Sequence, residues 1–443
     1  MRLIRLFLKE FSQNNRIYFV KNPWYDFIME VREMKNRLWT KNFTLIIIAT
    51  TLGATGGVAG NFALSFLVFE ETKSTFAAAL TAALAFVPAF IITFFAAPWM
   101  DRRPRKPFLM GGDVLNGICY AAAGFYLLNF EFTYVGYLGF SLLISCLQTF
   151  DELAYNSIYP NLIPEGMEQK GYSVLGTLYP VLRVLMMPVA AVLYGTIGVG
   201  MMLIIQGALS VIAAAVESGI KLDEKNRLQD EAYTFKMWKE DIAEAAKYLK
   251  KEKGLRSIYS YMAYTNAIGN GYSPLLVAFF STAAGMTAAM YSLFSAAEFI
   301  GRTIGGAFAY KLKIKPEKRF SFAFFVYMVY EFMDMILLWI PYPLMLINRG
   351  ICGFLGINSA TMRQAAVQTY IPDELRSRIN AFEGMLYFAV SAVLSLVVGA
   401  LGEILDYRIC ITLCGASTMI FCFMTIWKNR GEVALVYTKE GGN

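Results

Sequence analysis

The sequence predicts an all-α integral membrane protein with twelve transmembrane helices in two six-helix bundles. Three observations lead to this fold class: twelve apolar stretches of membrane-spanning length, basic residues concentrated in alternate connections, and a repeat of the first half in the second. Composition agrees, because 57% of the 443 residues are hydrophobic and 16% are charged. Soluble domains of this length contain fewer apolar and more charged residues.

Apolar stretches recur along the whole chain. A helix needs about 20 mostly apolar residues to cross the hydrocarbon core of a bilayer. Twelve stretches meet that length: Phe43–Phe69, Phe76–Pro98, Phe108–Phe130, Thr133–Ile158, Gly171–Ile197, Val199–Leu222, Ser257–Ser281, Thr287–Tyr310, Phe320–Ile340, Tyr342–Tyr370, Ile379–Leu405 and Ile409–Trp427. We therefore expect twelve spans.

Lysine and arginine are distributed unevenly between the connections. Of 40 such residues, 34 lie in the N-terminal segment, the even-numbered connections or the C-terminal tail. Only Lys73 and Arg408 lie in odd-numbered connections, and four arginines lie inside spans. Because cytoplasmic loops carry the basic excess, both termini are expected to be cytoplasmic. The expected location is a bacterial inner membrane.

Five regions follow from these spans. Residues 1–42 form a cytoplasmic segment, in which Trp24, Phe27, Ile28, Val31 and Leu38 recur at helical spacing and predict an amphipathic helix at the membrane surface. Residues 43–222 form the first bundle, and residues 223–256 form a charged linker with its own helical period. Residues 257–428 form the second bundle, and residues 429–443 form a cytoplasmic tail.

The two halves resemble each other at a shift of 208 positions. The shift aligns Ile163-Pro164 with Ile371-Pro372, Gly176 with Gly384, and Leu178-Tyr179 with Leu386-Tyr387. Duplication of six spans is typical of alternating-access transporters, in which the substrate site lies between the halves.

The connection after the second span carries a recognisable motif. It reads Ala97-Pro98-Trp99-Met100-Asp101-Arg102-Arg103-Pro104-Arg105-Lys106. This resembles the signature Gly-x-x-x-Asp-Arg-x-Gly-Arg-(Lys/Arg) of the major facilitator superfamily, with Ala97 and Pro104 in place of glycine. The resemblance implies the major facilitator fold. It also implies a cytoplasmic latch, formed here by Asp101, Arg102, Arg105 and Lys106, that stabilises one conformational state.

Further segments resemble the exporter-like branch of that superfamily, which includes bacterial macrolide and siderophore efflux proteins. These are Phe62 to Ser74, Tyr159 to Pro164 and Ile371 to Ile379. The resemblance implies a proton-coupled antiporter that exports a small organic solute. Drug antiporters of the superfamily carry Gly-Pro-x-x-Gly-Gly in the fifth span. Here Pro188 is kept but the glycines are not.

Ionisable residues inside the spans are the candidate site residues, since a charge at mid-membrane costs at least about 2.5–3.5 kcal/mol unless it is paired, hydrated or functional. Arg183 lies near mid-depth of the fifth span and is the predicted substrate contact. Asp151 and Glu152, in the inner half of the fourth span, are predicted partners in the cavity and proton-coupling candidates. A permanent ion pair between Arg183 and one of these acids is the structural alternative.

Three further sets complete the candidates. Glu298 and Arg302 are four residues apart on one helix face, so they either pair with each other or serve as the second choice for proton coupling. Asn61 follows four glycines of the first span and is a cavity candidate, with close helix packing as the alternative. Glu331 and Asp334 lie near mid-depth of the ninth span, and the sequence alone provides no account of them.

Other classes of function are disfavoured. The chain contains no histidine, its six cysteines lie inside spans without a CxxC pair, and no GxxxxGK[ST] loop is present. We therefore expect no enzyme, metal or cofactor. The basic residues that give the net charge of +7 lie beside the predicted spans, so they do not indicate nucleic-acid binding.

The expected partners are a small organic solute, protons and membrane lipids, and the expected state is a monomer. A lipid or lysophospholipid flippase and a transporter-derived sensor remain as alternatives.

Overall fold

The computed structural model describes residues 38–100, 104–164, 167–221, 235–309 and 314–438. Regular structure in these ranges is helical throughout. The first half contains α1 (Lys41–Thr72), α2 (Thr75–Met100), α3 (Lys106–Asn129), α4 (Tyr134–Leu162) and α5 (Glu168–Ser218). After α6 (Phe235–Lys251), the second half contains α7 (Lys253–Thr282), α8 (Ala288–Ala309), α9 (Pro316–Ile336), α10 (Tyr342–Tyr370), α11 (Asp373–Ile404), α12 (Tyr407–Cys422) and α13 (Arg430–Thr438).

Local sequence determines where several helices begin and end. Thr40 caps α1 by accepting a hydrogen bond from the Phe43 amide at 3.2 Å. Lys73 ends α1 in the left-handed conformation, with its amide bonded to the Phe69 carbonyl. Helix α5 contains two predicted spans, because Gly198 adopts a φ of 73° and interrupts the helical backbone between them.

Within the described ranges, six helices are long and apolar enough to cross a membrane by length and composition, and α5 is the longest of them. They are α1, α3, α5, α9 with its 3₁₀ extension, α11, and α12 with its π-helical extension Phe423–Trp427. Helices α7, α8 and α10 are less hydropathic, because polar residues that line a central cavity interrupt their apolar stretches. The fold class is therefore that of the sequence prediction: an all-α integral membrane protein with two six-helix halves.

Glycines allow helices to approach at equivalent places in the two halves. A Cβ at Gly207 of α5 would lie 2.5 Å from the Gly117 carbonyl oxygen of α3. A Cβ at Gly415 of α12 would lie 2.9 Å from the Glu331 carbonyl oxygen of α9. Gly207 and Gly415 are 208 positions apart. The third and sixth spans of each half therefore meet at a glycine in the repeated position: α3 with the second part of α5, and α9 with α12.

The two ends of the bundle differ in how the halves meet. We call the end where α3 and α11 begin the inner end, which the charge pattern predicts to be cytoplasmic, and the opposite end the outer end. Near the outer end one apolar cluster, the outer seal, joins residues of α1 and α5 to Val277 and Ala278 of α7. At the inner end, the described residues form one cluster within each half and none that joins them. Among the described residues, an apolar cluster therefore joins the halves only near the outer end, which is the arrangement expected of an inward-facing state.

A carboxylate also holds the outer end closed. Glu403, near the end of α11, accepts hydrogen bonds from the Ser74 hydroxyl at 2.7 Å and the Phe76 amide at 2.8 Å. It thereby caps the start of α2 from the other half.

Helix α6 belongs to the predicted linker and packs against the second half. Arg378 of α11 pairs with Asp241 of α6 at 2.8 Å and also with Glu244. The predicted amphipathic helix around Trp24 to Val31 lies outside the described residues.

Candidate functional site

A cavity of about 760 Å³ lies between the two halves. The first half contributes residues of α1 and α5, and the second half contributes residues of α7, α8, α9, α10 and α12. The charged and amide side chains on its wall are Asn61, Arg183, Asn266, Asn270, Glu298, Arg302, Glu331, Asp334, Arg349 and Arg363. Two predicted cavity residues, Arg183 and Asn61, therefore lie on this wall.

Arg183 projects from α5 toward the second half. Its guanidinium carbon lies 5.0 Å from the centre of the Phe299 ring of α8, a cation–π contact. Within the described ranges, no carboxylate lies within 4.0 Å of it. The predicted pairing of Arg183 with Asp151 or Glu152 is therefore not observed, because the side chain crosses to α8 instead of turning toward α4.

Asp151 and Glu152 lie outside the set of residues that lines this cavity. Asp151 faces α3, where a Cβ at Gly112 would lie 3.2 Å from its Oδ1. It shares that region with Asp113 of α3 and Glu217 at the end of α5, and the three acids repel one another. Their grouping on the first half was not expected from the sequence, where these positions are up to 104 residues apart.

Glu298 and Arg302 form the ion pair that their spacing allows. The distance from the Arg302 Nη2 to the Glu298 Oε1 is 2.7 Å. The pair lies on the cavity wall, and Arg302 also contacts the Phe299 ring at 5.8 Å. Phe299 is therefore approached by one guanidinium from each half.

Glu331 and Asp334 face the interior of the second half, not lipid or headgroups. Both side chains are buried, with 3% of each residue exposed. Asp334 pairs with Arg349 of α10, which is 2% exposed, and accepts a hydrogen bond from the Tyr272 hydroxyl at 2.9 Å. A buried pair of this kind is costly to break, because the remaining charge is left without its partner.

Glu331 is held by hydroxyl groups. Its Oε1 accepts hydrogen bonds from Tyr261 and Thr265 of α7, both at 2.9 Å, and its Oε2 accepts one from Thr418 of α12. The sequence could not identify these donors, since they come from two helices distant in the chain.

Arg363 of α10 is a cavity residue that the sequence reasoning did not select. It lies near the Tyr327 hydroxyl, and no described carboxylate lies within 4.0 Å of its guanidinium. Its signal was available, because it is one of only four arginines inside predicted spans. Among the described residues, the cavity wall thus carries four arginines and three acids, and two of the arginines, Arg183 and Arg363, have no acid partner there.

Two of the four predicted latch residues are described. Arg105 donates to the Ser157 carbonyl at 3.1 Å, and Lys106 donates to the carbonyls of Ser218 and Ile220, each at 2.7 Å. These bonds connect the start of α3 with the inner ends of α4 and α5. Asp101 and Arg102 lie outside the described residues.

Comparison with solved structures shows the same fold at low sequence identity. A POT family transporter crystallised with a thioalcohol-conjugated peptide has a TM-score of 0.66 and 10% identity, covering 88% of this chain and 96% of that one. The nucleoside transporter NupG (D323A mutant) has a TM-score of 0.63 and 11% identity, with 87% and 99% covered.

A bacterial homolog of the human lysosomal transporter Spinster, in an inward-facing and unoccupied conformation, has a TM-score of 0.57 and 13% identity, with 90% and 96% covered. No curated protein matches the sequence. The family model described as Major Facilitator Superfamily matches residues 44–382. This match covers most of the chain, and the protein therefore belongs to the major facilitator superfamily.

Proposed function

We propose that this protein is a secondary active transporter that exports a small organic solute with an anionic group across a bacterial inner membrane, in exchange for protons. One observation carries the proposal. The Arg183 guanidinium lies on the wall of a cavity shared by both halves and has no acid partner among the described residues. A cation in that position is costly unless water or a ligand compensates it.

The cavity has the size and lining of a small-molecule site. Its volume of about 760 Å³ is within the usual range for organic ligands. Phe62, Met187, Tyr291 and Phe294 line it beside Arg183. We expect the anionic group to contact Arg183 and the apolar part of the solute to contact these side chains.

The charges of the cavity favour an anionic or zwitterionic solute. The Arg302 and Arg349 guanidiniums are neutralised by Glu298 and Asp334. In the part of the chain that the structure describes, Arg183 and Arg363 have no acid partner, and Glu331 is the one acid of the cavity wall without a basic partner. The net charge of these cavity residues is therefore +1 if Glu331 is ionised and +2 if it is protonated, and both values attract an anion.

Alternating access supplies the transport mechanism. In the inward-facing state the outer seal separates the cavity from the outer end, and the inner end remains open to the cytoplasm. Rocking of the two halves would close the inner end and open the seal, which moves the solute outward. The resemblance to exporters supports the direction. Because one chain contains both halves of the cavity, a monomer suffices.

Within the predicted coupling set, Glu298 and Arg302 line the cavity, whereas Asp151 and Glu152 do not. Uphill transport by exchange requires a carboxylate that is exposed to each side in turn and changes protonation. Within that set, Glu298 and Arg302 therefore lie where a solute in this cavity can contact them, and Asp151 and Glu152 do not.

A ligand panel tests the proposal. Purified protein is screened for thermal stabilisation by drugs, siderophores, lysophospholipids and sugars, since a bound ligand raises apparent stability by mass action. We expect anionic or zwitterionic compounds to stabilise the wild type and to lose that effect in Arg183→Met. The matched control is Arg408→Met, at the outer end of α12, which should keep the stabilisation. Equal stabilisation of the Arg183→Met variant would contradict the assigned contact.

Lipid transport is a second candidate, favoured by a separate apolar cavity. A cavity of about 500 Å³ lies between α1, α3 and α4 toward the outer end, lined by residues such as Leu64, Leu67, Leu127, Phe132 and Phe140. An acyl chain fits this lining. If lysophospholipids stabilise the protein and the other compounds of the panel do not, lipid transport is favoured.

A further inference from the structure

We propose that Glu331 is the carboxylate that binds and releases the coupling proton. The inference rests on the proposed function for the use of that proton, because proton exchange is part of it. The observation behind it is the placement of Glu331 among three hydroxyl donors on the wall of the central cavity, with no basic partner among the described residues.

The three donors satisfy the ionised carboxylate. Tyr261 and Thr265 donate to Oε1, each at 2.9 Å, and Thr418 donates to Oε2. In the part of the chain that the structure describes, no lysine or arginine lies within 4.0 Å of Glu331. A hydroxyl group both donates and accepts. The same neighbours can therefore accept the acid proton of a protonated Glu331, so the site can hold either form.

The other two acids of the cavity are bound to cations. Asp334 pairs with Arg349, and Glu298 pairs with Arg302 at 2.7 Å. A neighbouring guanidinium favours the ionised form of a carboxylate and opposes protonation. Among the described residues, no basic group restrains Glu331 in this way, and its side chain lines the central cavity.

The remaining groups around Glu331 do not exchange protons near neutral pH. Asp334 faces it from α9, Tyr261 from α7, Cys352 from α10, and Cys414 and Cys422 from α12, with Arg363 of α10 next to Tyr261. Phenols, thiols and guanidiniums lose their protons in alkaline solution. Asp334 is bound to Arg349, which opposes its protonation. Among the groups at this site, proton exchange in the neutral range therefore depends on Glu331.

The geometry favours a proton over a metal cation. The oxygens of Tyr261 and Thr265 lie at hydrogen-bond distance from Glu331 Oε1, 2.9 Å in each case. That separation contains one hydrogen atom. Within the described ranges, no group of three or more histidine, cysteine, aspartate or glutamate side chains is placed to hold a metal ion.

Helix α7 connects this site with the outer seal. Tyr261 and Thr265 lie in its inner half, and Val277 and Ala278 of the same helix lie in the outer seal. The ionised carboxylate uses all three donors and stabilises α7 in the inward-facing position. Protonation turns one donor into an acceptor and weakens that hold. By linkage, a proton that binds more tightly to the outward-open state shifts the protein toward that state.

The test uses the full-length protein in lipid nanodiscs and requires no solute. Spin labels at Thr196→Cys and Ala284→Cys, exposed on the two sides of the outer mouth, report its opening by distance measurements across a pH series. Replacing the partly exposed Cys119 and Cys146 by serine limits labelling to these sites.

In the protein with Glu331 intact, the ratio of open to closed outer mouths should rise by about tenfold as pH falls, which corresponds to a difference of one pKa unit between the states. In Glu331→Gln the ratio should be high and independent of pH. The control is Glu217→Gln, which neutralises another buried acid, away from the cavity, and should keep the pH response.

Three results would overturn the inference. They are an unchanged pH response in Glu331→Gln, loss of the response in Glu217→Gln alone, or a response to sodium at constant pH that Glu331→Gln removes. If Glu331→Gln does not fold, Glu331→Asp serves as the test. This variant keeps a carboxylate but moves it relative to its donors, so the pH midpoint of the opening of the outer mouth must shift if the proton binds there. An unchanged midpoint there rejects the proton site. Failure of the ligand panel would reject the proposed solute and leave this result intact, so the two failures are distinguishable.

Discussion

The two halves of the protein share a helical framework but differ in charge at the cavity. At a shift of 208 positions, Gly207 corresponds to Gly415, and each lies where the third and sixth spans of its half meet. The charges do not repeat: Glu331, Arg349 and Arg363 correspond to Ala123, Ser141 and Tyr155. Six of the seven charged residues on the cavity wall come from the second half, and only Arg183 comes from the first.

This difference has a physical reason. Where two helix backbones are in contact, a side chain of any size must displace one of them, so both halves need small residues there. A position that faces the cavity meets water or a ligand, and it can carry a charge in one half and an apolar group in the other. We infer that the second half carries the ionic chemistry, whereas the first half supplies one contact to the solute.

The largest effect should follow from breaking the buried ion pair of the second half. Arg349→Met leaves Asp334 buried without its partner, with 3% of the residue exposed. We expect a loss of about 3–5 kcal/mol in the free energy of unfolding, measured by thermal and denaturant unfolding of purified protein.

The control for this change is the corresponding residue of the first half. Ser141→Ala should alter stability by less than about 0.5 kcal/mol. The double variant Arg349→Met/Asp334→Leu should recover most of the loss, because it leaves no unpaired charge. Equal effects of Arg349→Met and Ser141→Ala on the free energy of unfolding would contradict the inferred asymmetry between the halves.

A smaller and equal effect is expected at the repeated glycines. The new Cβ would lie 2.5 Å from the Gly117 oxygen in Gly207→Ala and 2.8 Å from the Met335 Cγ in Gly415→Ala. We expect each variant to lose about 1–3 kcal/mol, because backbones must move apart. Gly139→Ala is the control, since nothing lies within 4 Å of its new Cβ, and it should be neutral or stabilising. A loss confined to one half would show that the framework is not shared.

The smallest effect is expected at the surface of the inner end. Arg378, whose side chain is 37% exposed, pairs with Asp241 and Glu244 of α6. Solvent screens such pairs, so Arg378→Ala should lower stability by at most about 1 kcal/mol. The measurement is the unfolding temperature at low and high salt, and the difference between variants should shrink in salt. A loss as large as that of Arg349→Met would place an essential contact at the linker.

Particular residues show how far sequence reasoning reached. Arg183 was selected because charge is expensive at mid-membrane, and the structure places it on the cavity wall; its role in binding stays a prediction. The same rule applied to Arg363, which was left out although it lies inside a span. Asp151 and Glu152 were expected beside Arg183, but helix depth alone does not say which face a side chain occupies. The sequence did not explain Glu331, because the three side chains that donate hydrogen bonds to it lie on α7 and α12.

The sequence by itself determined the membrane class, the all-helical fold class and the superfamily, and it predicts the number and orientation of the spans and the duplication. These depend on local quantities, namely the length of apolar stretches, the charge of connections and short motifs, and each can be read without knowing which helices touch. Only the tertiary structure decided that the outer end is sealed, that Arg183 meets Phe299, and that Glu331 lies among three hydroxyl groups. Those facts depend on the rotation of each helix about its axis and on contacts between distant segments, which hydropathy does not encode.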